Sequence, residues 1–357
     1  MRRYRLSSDK GKSAEHAQLY IGIDVHRVQW HVTVRTQDVE LFTGSLPGTW
    51  EALGKLLERY KGVRIQAVYE AGYFGFRLHD HLQSAGIDCV VTPPSLVPQE
   101  YGNHVKTDRR DCRKLAQLLA KGMLRRVWVP TAQQRSERQV IRRRKQLIGD
   151  RVRVQNRIKA ELRFYGIEMP APSGQWSQGY LRQLEGLPMD DRWMEESFRV
   201  LLKEYRYLSD LIRQQTALLG ELAETTAYAE RVGILRSTPG IGLVSAMEYL
   251  VELQDVSRFR RGNQLAAYVG LTPSQYSSGE HLRMGRITAI GKNHLRGTLV
   301  EVAWRLIAKD PAIREKYEGI KSRAGSKRAI IAIARILLLR TRRMLLDRQP
   351  YVAGLAA

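Results

Sequence analysis

The chain has 357 residues, 43% of them hydrophobic, and a formal net charge of +23 from 59 Lys and Arg against 36 Asp and Glu. That length allows two or three packed domains, and that charge asks for a polyanionic partner, with nucleic acid and a membrane surface as the competitors. No run of about 18 apolar residues is present to cross a bilayer. The first 18 residues read as a basic tail without the apolar centre of a secretory signal. Two cysteines, Cys89 and Cys112, lack zinc spacing and fit a reduced, cytoplasmic setting.

From Leu19 to Val129 strand-like and helix-like segments alternate. Leu19–Val25 reads as a buried strand, followed by an antiparallel pair at Gln29–Thr36 and Val39–Ser45 around the polar turn Gln37-Asp38. A helix over Thr49–Tyr60, a strand over Arg64–Glu70, a helix over Gly75–Ser84 and a strand over Asp88–Thr92 come next. Thr107–Lys121 is helical, and Val127–Val129 closes the segment as a last short strand. A hairpin followed by crossovers predicts an α/β fold, a mixed sheet with helices on its faces, over residues 19–130.

Residues 131–232 have a different texture. A long helix runs from about Ala132 to Tyr165, and its stretch 133–165 holds eleven Lys and Arg, among them Arg142, Arg143 and Arg144, against three acids. Pro170, Pro172, Gly174 and Gly179 mark a loop. A second long helix, about Asp190–Tyr228, carries Leu201, Tyr205, Leu208, Ile212, Gln215, Leu219 and Leu222 at coiled-coil spacing. That seam suits either two helices packed in one chain or a coiled coil between subunits, and the latter is favoured because a charged arm has little core of its own.

Residues 233–357 predict a compact, mostly helical domain. Its opening, Thr238-Pro239-Gly240-Ile241-Gly242, reads as the hairpin of a helix-hairpin-helix unit, with Gly240 and Gly242 letting backbone amides meet a phosphate. Arg283, Arg286, Lys292 and Arg296 form a basic run with no acid among them. Helical segment Lys321–Arg348 adds nine Lys and Arg against one Asp. Charge spread in this way suits phosphate contacts that carry no sequence information.

Four carboxylates bear the chemistry. Asp24 and Glu70 each end an apolar strand, where a charge is costly unless paired or bound to metal. Asp108 and Asp111 lie three apart at the start of a helix. Surface pairing is the plain alternative: Asp24 with Arg27, and Asp108 and Asp111 with Arg109, Arg110 or Arg113. Convergence of all four would suit two hard divalent cations, Mg2+ by abundance or Mn2+, able to stabilise both oxygens of a phosphodiester displacement.

With these residues in place the chain resembles the insertion-sequence transposases of the DEDD type, relatives of the Piv DNA invertases. The motifs are Gly22-Ile23-Asp24-Val25-His26, Tyr69-Glu70-Ala71 and Lys106-Thr107-Asp108-Arg109-Arg110-Asp111 in the first part. Pro239-Gly240-Ile241-Gly242, Leu265–Pro273, Ser278-Gly279, Gly285-Arg286-Ile287-Thr288 and Gly291–Arg296 continue it in the second. The resemblance implies a RuvC-like branch of the RNase H fold, a C-terminal transposase domain, and a serine nucleophile that falls on Ser278, with Ser277 one residue away as the alternative. It also implies a covalent phosphoserine–DNA intermediate, a dimer or tetramer whose site takes acids from one subunit and serine from another, and a bridge RNA that pairs with donor and target DNA. Three other readings compete. A RuvC-like endonuclease would use water on branched DNA and leave the second half without a role. An actin-like sugar kinase would need a glycine-rich phosphate loop after Asp24, and Val25-His26-Arg27-Val28 is not one. A non-enzymatic nucleic-acid binder would have no use for the acids.

Overall fold

The computed structural model describes residues 18–98, 108–170, 176–278, 281–288, 291 and 293–354. The expected N-terminal tail, Gly279 and Lys292 therefore lie outside the described residues. The described residues fall into two compact units divided after Pro130.

The first unit is a five-stranded sheet with helices on both faces. Strands β1 (Leu19–Val25), β2 (Gln29–Arg35), β3 (Glu40–Pro47), β4 (Ile65–Glu70) and β5 (Asp88–Thr92) lie in the order β3-β2-β1-β4-β5. The first three pair antiparallel, and β1, β4 and β5 pair parallel. Alternation along each strand sorts the side chains into two layers. Ile21, Ile23, Val32, Val34, Ala67, Tyr69 and Val91 form one core with Leu53 and Leu56 of α1 (Trp50–Leu57) and Leu78 and Leu82 of α2 (Arg77–Ser84). On the other face Val68 and Val90 pack with Leu115 and Leu119 of α3 (Asp108–Ala120). Val127–Val129 is not a strand. A backbone bond, Val127 N–H to the Val91 carbonyl at 2.7 Å, ties it to β5, and Pro130 follows with no N–H to extend a ladder.

Helix α3 lies on β1 at a distance that only glycine allows. A Cβ on Gly22 would stand 2.1 Å from the Cys112 carbonyl oxygen and 2.6 Å from the Ala116 amide nitrogen. Beside it Thr33 of β2 meets the Cys112 thiol at 3.2 Å. Arg113 then grips Glu40 of β3 with two bonds of 2.9 and 2.8 Å, which fixes the helix in rotation.

The second unit opens with α4 (Ala132–Phe164), capped by a reciprocal pair in which Thr131 and Gln134 bond each other's backbone amide. After α5 (Gln178–Glu185), a helix where only a loop is expected from the sequence, comes α6 (Arg192–Glu224). Helices α4 and α6 run antiparallel, with Arg157 facing Glu204 at 3.1 Å and Arg144 bonding Thr216 at 2.8 Å. The seam expected between subunits is instead used inside one chain. Tyr205 and Leu208 are buried with Val154, Ile158 and Leu162 of α4, and Leu219 joins a core that also holds Ile141. The arm has a core because α4 carries an apolar stripe beneath its arginines, and α5 adds Tyr180, Leu181 and Leu184 to it.

The rest is helical except for one hairpin. Helices α7 (Ala229–Arg236), α8 (Leu243–Leu253) and α9 (Gly262–Val269) precede β6 (Pro273–Ser278) and β7 (His281–Ile287). Helices α10 (Asn293–Lys309), α11 (Pro311–Ala324) and α12 (Ser326–Asp347) complete the unit. Its core joins Ala246, Leu250 and Leu253 of α8 to Ala303 and Leu306 of α10 and Ile333 and Leu337 of α12. The hairpin interrupts the mostly helical domain that the sequence predicts.

Gly22→Ala is expected to lower stability by about 3 kcal/mol, because the new methyl meets backbone that cannot rotate away. Gly54→Ala is the control: open space surrounds a Cβ there, and the helix should gain up to about 1 kcal/mol. Urea unfolding of the two variants checks both signs.

Candidate functional site

Register and alternation bring two of the four carboxylate positions together. In the parallel pair of β1 and β4, Ile23 sits beside Tyr69, so Asp24 and Glu70 occupy the next position on each strand. Both share the side of Gly22 and Val68, the face covered by α3. Asp24 is the more enclosed, its side chain 22% accessible, while Glu70 is exposed at the strand end.

The other two positions come from α3. Cys112, Leu115, Ala116 and Leu119 are buried and line the side of the helix that meets the sheet. Asp108 and Asp111 continue that stripe at helical spacing by one turn toward the N-terminus. The close packing at Gly22 therefore sets how far α3 extends past the end of β1. Burial pushes the Cys112 thiol up; the Thr33 hydrogen bond opposes this, and the nearby Asp24 charge adds to it. Asp24 Oδ2 also meets His26 Nε2 at 3.3 Å, and Arg113, one candidate partner for Asp111, is committed to Glu40.

The Asp108 side chain lies outside the described residues. Among the described residues no group of three or more His, Cys, Asp or Glu side chains is gathered closely enough to hold a metal. What the structure contributes is the donor chemistry and the placement: Asp24, Glu70 and Asp111 are hard oxygen donors at one end of one sheet face, a set that fits Mg2+ or Mn2+ and would not suit a soft metal. Neither cysteine competes as a ligand, since both thiols are buried and burial pushes Cys89 up to about 12.

In the second unit, Ser278 is the last residue of β6 and pairs with His281, while Ser277 pairs with Leu282. Their side chains lie outside the described residues. Ser274, a third serine of this stretch, plays a structural part. Its hydroxyl donates to the Arg286 carbonyl at 3.1 Å, against Gly285, where a Cβ would stand 2.2 Å from that hydroxyl. Arg286 is exposed on β7. Arg296 braces the base of the hairpin, its guanidinium donating to the Gly270 and Thr288 carbonyls at 3.2 Å each. The Arg283 side chain is outside the described residues.

Several residues expected to contact nucleic acid are engaged within the fold. Arg142 forms two bonds to Glu252, of 2.9 and 3.2 Å, and Glu252 is fully buried on α8. Arg138, itself buried, donates to the Val251 and Glu252 carbonyls, and Lys145 reaches Glu248 at 2.8 Å. Arg144 is half buried against Thr216, and burial lowers its pKa. Arg143 is exposed. Gly240, at φ +93°, is required by packing, since a Cβ there would lie 2.7 Å from the Arg305 side chain on α10. The Gly242 amide donates to Ser245 Oγ at 3.0 Å, which caps α8. Buried Glu248 and Glu252 are the signal that sequence reading missed: two acids four apart on an otherwise apolar helix mark the receiving end of basic residues.

Comparison with known proteins agrees with both units. Residues 21–167 match the family model of the DEDD transposases of the IS110 type, and residues 232–318 match the transposase IS116/IS110/IS902 family. A Sinorhizobium fredii protein named as transposase y4qE is 29% identical over 82% of this chain and 72% of its own length. The transposase for insertion sequence element IS1533 of Leptospira borgpetersenii is 24% identical over 93% of this chain and 97% of its own. The transposase for IS1111A of Coxiella burnetii is 26% identical over 69% of this chain and 67% of its own. A mixed sheet followed by a mostly helical region is consistent with a DEDD RuvC-like domain in such a chain. The protein is thus an enzyme acting on DNA, a DEDD transposase, and the DEDD domain implies dependence on a divalent metal. Both matched segments are similar to those of transposases of the IS110/IS116 type. No helix among the described residues is long and apolar enough to cross a membrane.

Arg142→Ala is expected to cost about 2 kcal/mol by leaving a buried carboxylate short of its main partner. Arg143→Ala should change stability by less than about 0.5 kcal/mol while weakening DNA binding and flattening its salt dependence. Thermal melting and salt-dependent DNA titration separate the two roles.

Proposed function

We propose that this transposase cuts and rejoins DNA through a phosphoserine link, with Ser278 as nucleophile and Asp24, Glu70, Asp108 and Asp111 as the carboxylates that bind the metal, Mg2+ or in its place Mn2+. The observation that carries the reading is the placement of Asp24 and Glu70 side by side on the sheet face that α3 covers with its Asp108–Asp111 turn. Metal held there supplies positive charge for the attacking and leaving oxygens of a phosphodiester.

The chain's own residues divide the work. Ser278 closes β6 in a hairpin whose base Arg296 braces. Attack by its hydroxyl oxygen on phosphorus forms one phosphoester as the bond to the sugar oxygen breaks. The serine proton passes to solvent, and the sugar oxygen leaves as a hydroxyl after taking a proton from it. The number of phosphoester bonds is unchanged, so resealing needs no nucleotide, in keeping with the lack of a GxxxxGK[ST] loop. Arg286 on β7, with Arg283 and Lys292, balances charge on the phosphate.

Sequence choice is assigned to a bridge RNA that pairs with donor and target DNA. The basic composition and the lack of zinc-finger spacing support a protein that reads shape and backbone while pairing reads sequence. The active form is a dimer or tetramer, with acids from one subunit and serine from another, as the family resemblance implies.

The deciding experiment incubates purified protein with candidate guide RNA, donor and target DNA, and Mg2+. A protein–DNA adduct that survives denaturation is expected, lost in Ser278→Ala and in Asp24→Ala, and lost without RNA. Persistence of the adduct in Ser278→Ala, with loss in Ser277→Ala, would move the nucleophile by one residue. Free nicked ends without an adduct, unaffected by Ser278→Ala yet abolished by Asp24→Ala, would sink the covalent mechanism in favour of a water-using endonuclease.

A further inference from the structure

The end of the sheet that carries Asp24 holds a second feature, a cavity of about 350 Å3. It lies between the β1–β2 turn and the first turns of α1 and α2. Trp30, Trp50, Phe74 and His81 give it an aromatic lining, and Arg27 and Arg77 give it two cations. Glu51 is the one carboxylate among its lining residues.

The aromatic groups are held in place by specific contacts. Trp30 donates its indole N–H to the His26 carbonyl at 3.2 Å, which orients the ring from the turn. Trp50 and His81 stack with centroids 5.0 Å apart and planes 13° from parallel. Phe74 packs on Tyr73 at 4.1 Å, and Tyr73 is itself 87% exposed. Large aromatic groups left partly open to solvent next to guanidinium groups are unusual for a small domain that has a complete core on the same face. The combination is complementary to a nucleotide, whose base stacks on planar groups while its phosphate meets the arginines.

The position matters as much as the chemistry. His26 lines the cavity, and its Nε2 is 3.3 Å from Asp24 Oδ2. Asp24 belongs to the face that α3 covers and the cavity to the face of α1 and α2, so the two meet at the end of β1, where His26 touches both; a strand with its phosphate at Asp24 would cross that end to bring a neighbouring base to the cavity. We propose that the cavity takes one unstacked base of the DNA strand being cut, next to the scissile phosphate, and so holds that strand in register. The proposal rests on the reading of Asp24 and Glu70 as the cleavage site. A paired, stacked base cannot enter, so the cavity selects DNA that is melted at the cut.

Photocrosslinking of the full chain tests this. A short single-stranded oligodeoxynucleotide containing 5-iododeoxyuridine is irradiated with the protein, and the crosslinked peptides are mapped by mass spectrometry. Crosslinks are expected on Phe74, Trp30 or Trp50, competed by unlabelled single strand and not by duplex of the same sequence. Phe74→Ala should lower their yield about tenfold, the scale of one lost base–aromatic stack. Arg27→Ala, at an exposed position where folding is not at issue, should lower it severalfold. Asp24→Asn should abolish cleavage and keep the crosslink. Crosslinks confined to other segments, or equal competition by duplex, would overturn the proposal. Stronger competition by RNA of the same sequence would also overturn it and give the cavity to an RNA strand. Crosslinks at Phe74 in a protein that cuts no DNA would leave the base site standing and sink the cleavage reading alone.

Discussion

The contact between α3 and β1 at Gly22 is the constraint on which the candidate site depends. Helix backbone rests on strand backbone with no side chain between them, so the height of α3 above the sheet is set by van der Waals contact. Thr33 and Arg113 then fix its rotation through Cys112 and Glu40. Burial pushes the Glu40 carboxyl up, but the bonds from Arg113 and Thr43 together with the charges of Arg113 and Arg109 outweigh it and hold the group below its ordinary range. A larger residue at position 22 would lift the helix and carry Asp108 and Asp111 away from the strand ends. Metal-assisted phosphoryl chemistry tolerates little such error, since misplacement by about 1 Å can cost roughly a hundredfold in rate.

Charge in this protein does two jobs. A net charge of +23 suggests a surface covered in phosphate contacts, yet much of the Arg138–Lys145 run points into its own fold. Arg138, Arg142 and Lys145 meet an apolar helix at Glu248 and Glu252, and His294 approaches Glu252 at 3.2 Å. A buried carboxylate held by several cations gives little net stability, but it penalises any other docking of α4 on α8. The arm is thereby joined to the C-terminal helices in one arrangement, and residues such as Arg143 and Arg286 are left at the surface.

The parts of the fold that are legible in the sequence are those where one local pattern has one structural meaning. Apolar runs ending in Asp24 and Glu70 read as strands with charged ends, and the helical spacing from about Ala132 reads as α4. Val127–Val129 misleads because three β-prone residues before a proline resemble a strand, although a strand exists only through its neighbours. Gly179 suggests a loop, but α5 tolerates it because Tyr180, Leu181 and Leu184 bury on the arm. The β6–β7 hairpin is hidden because Pro273–Ser278 is polar and has no alternating apolar face. The seam on α6 is plainly apolar in the sequence, but spacing alone carries no information on which chain covers it.

The glycines show how far a motif can stand apart from its cause. Gly240 and Gly242 suggest phosphate binding because such turns expose amides, yet the first is needed to clear Arg305 and the amide of the second is held by Ser245. Glycine in a motif reports a lack of room, and the backbone of one protein can use that room for packing where another uses it for a ligand. The same distinction applies to the cavity beside Asp24. Its aromatic groups look like core residues in the sequence, since Trp30 and Trp50 fall in periodic segments with apolar neighbours. In the fold they pack, partly buried, against the core, and Arg27 and Arg77 line the same cavity. A domain that needed these side chains for stability alone would have closed over them. His26 lines the cavity and touches Asp24, which sets this aromatic surface one residue contact from a carboxylate at the strand end.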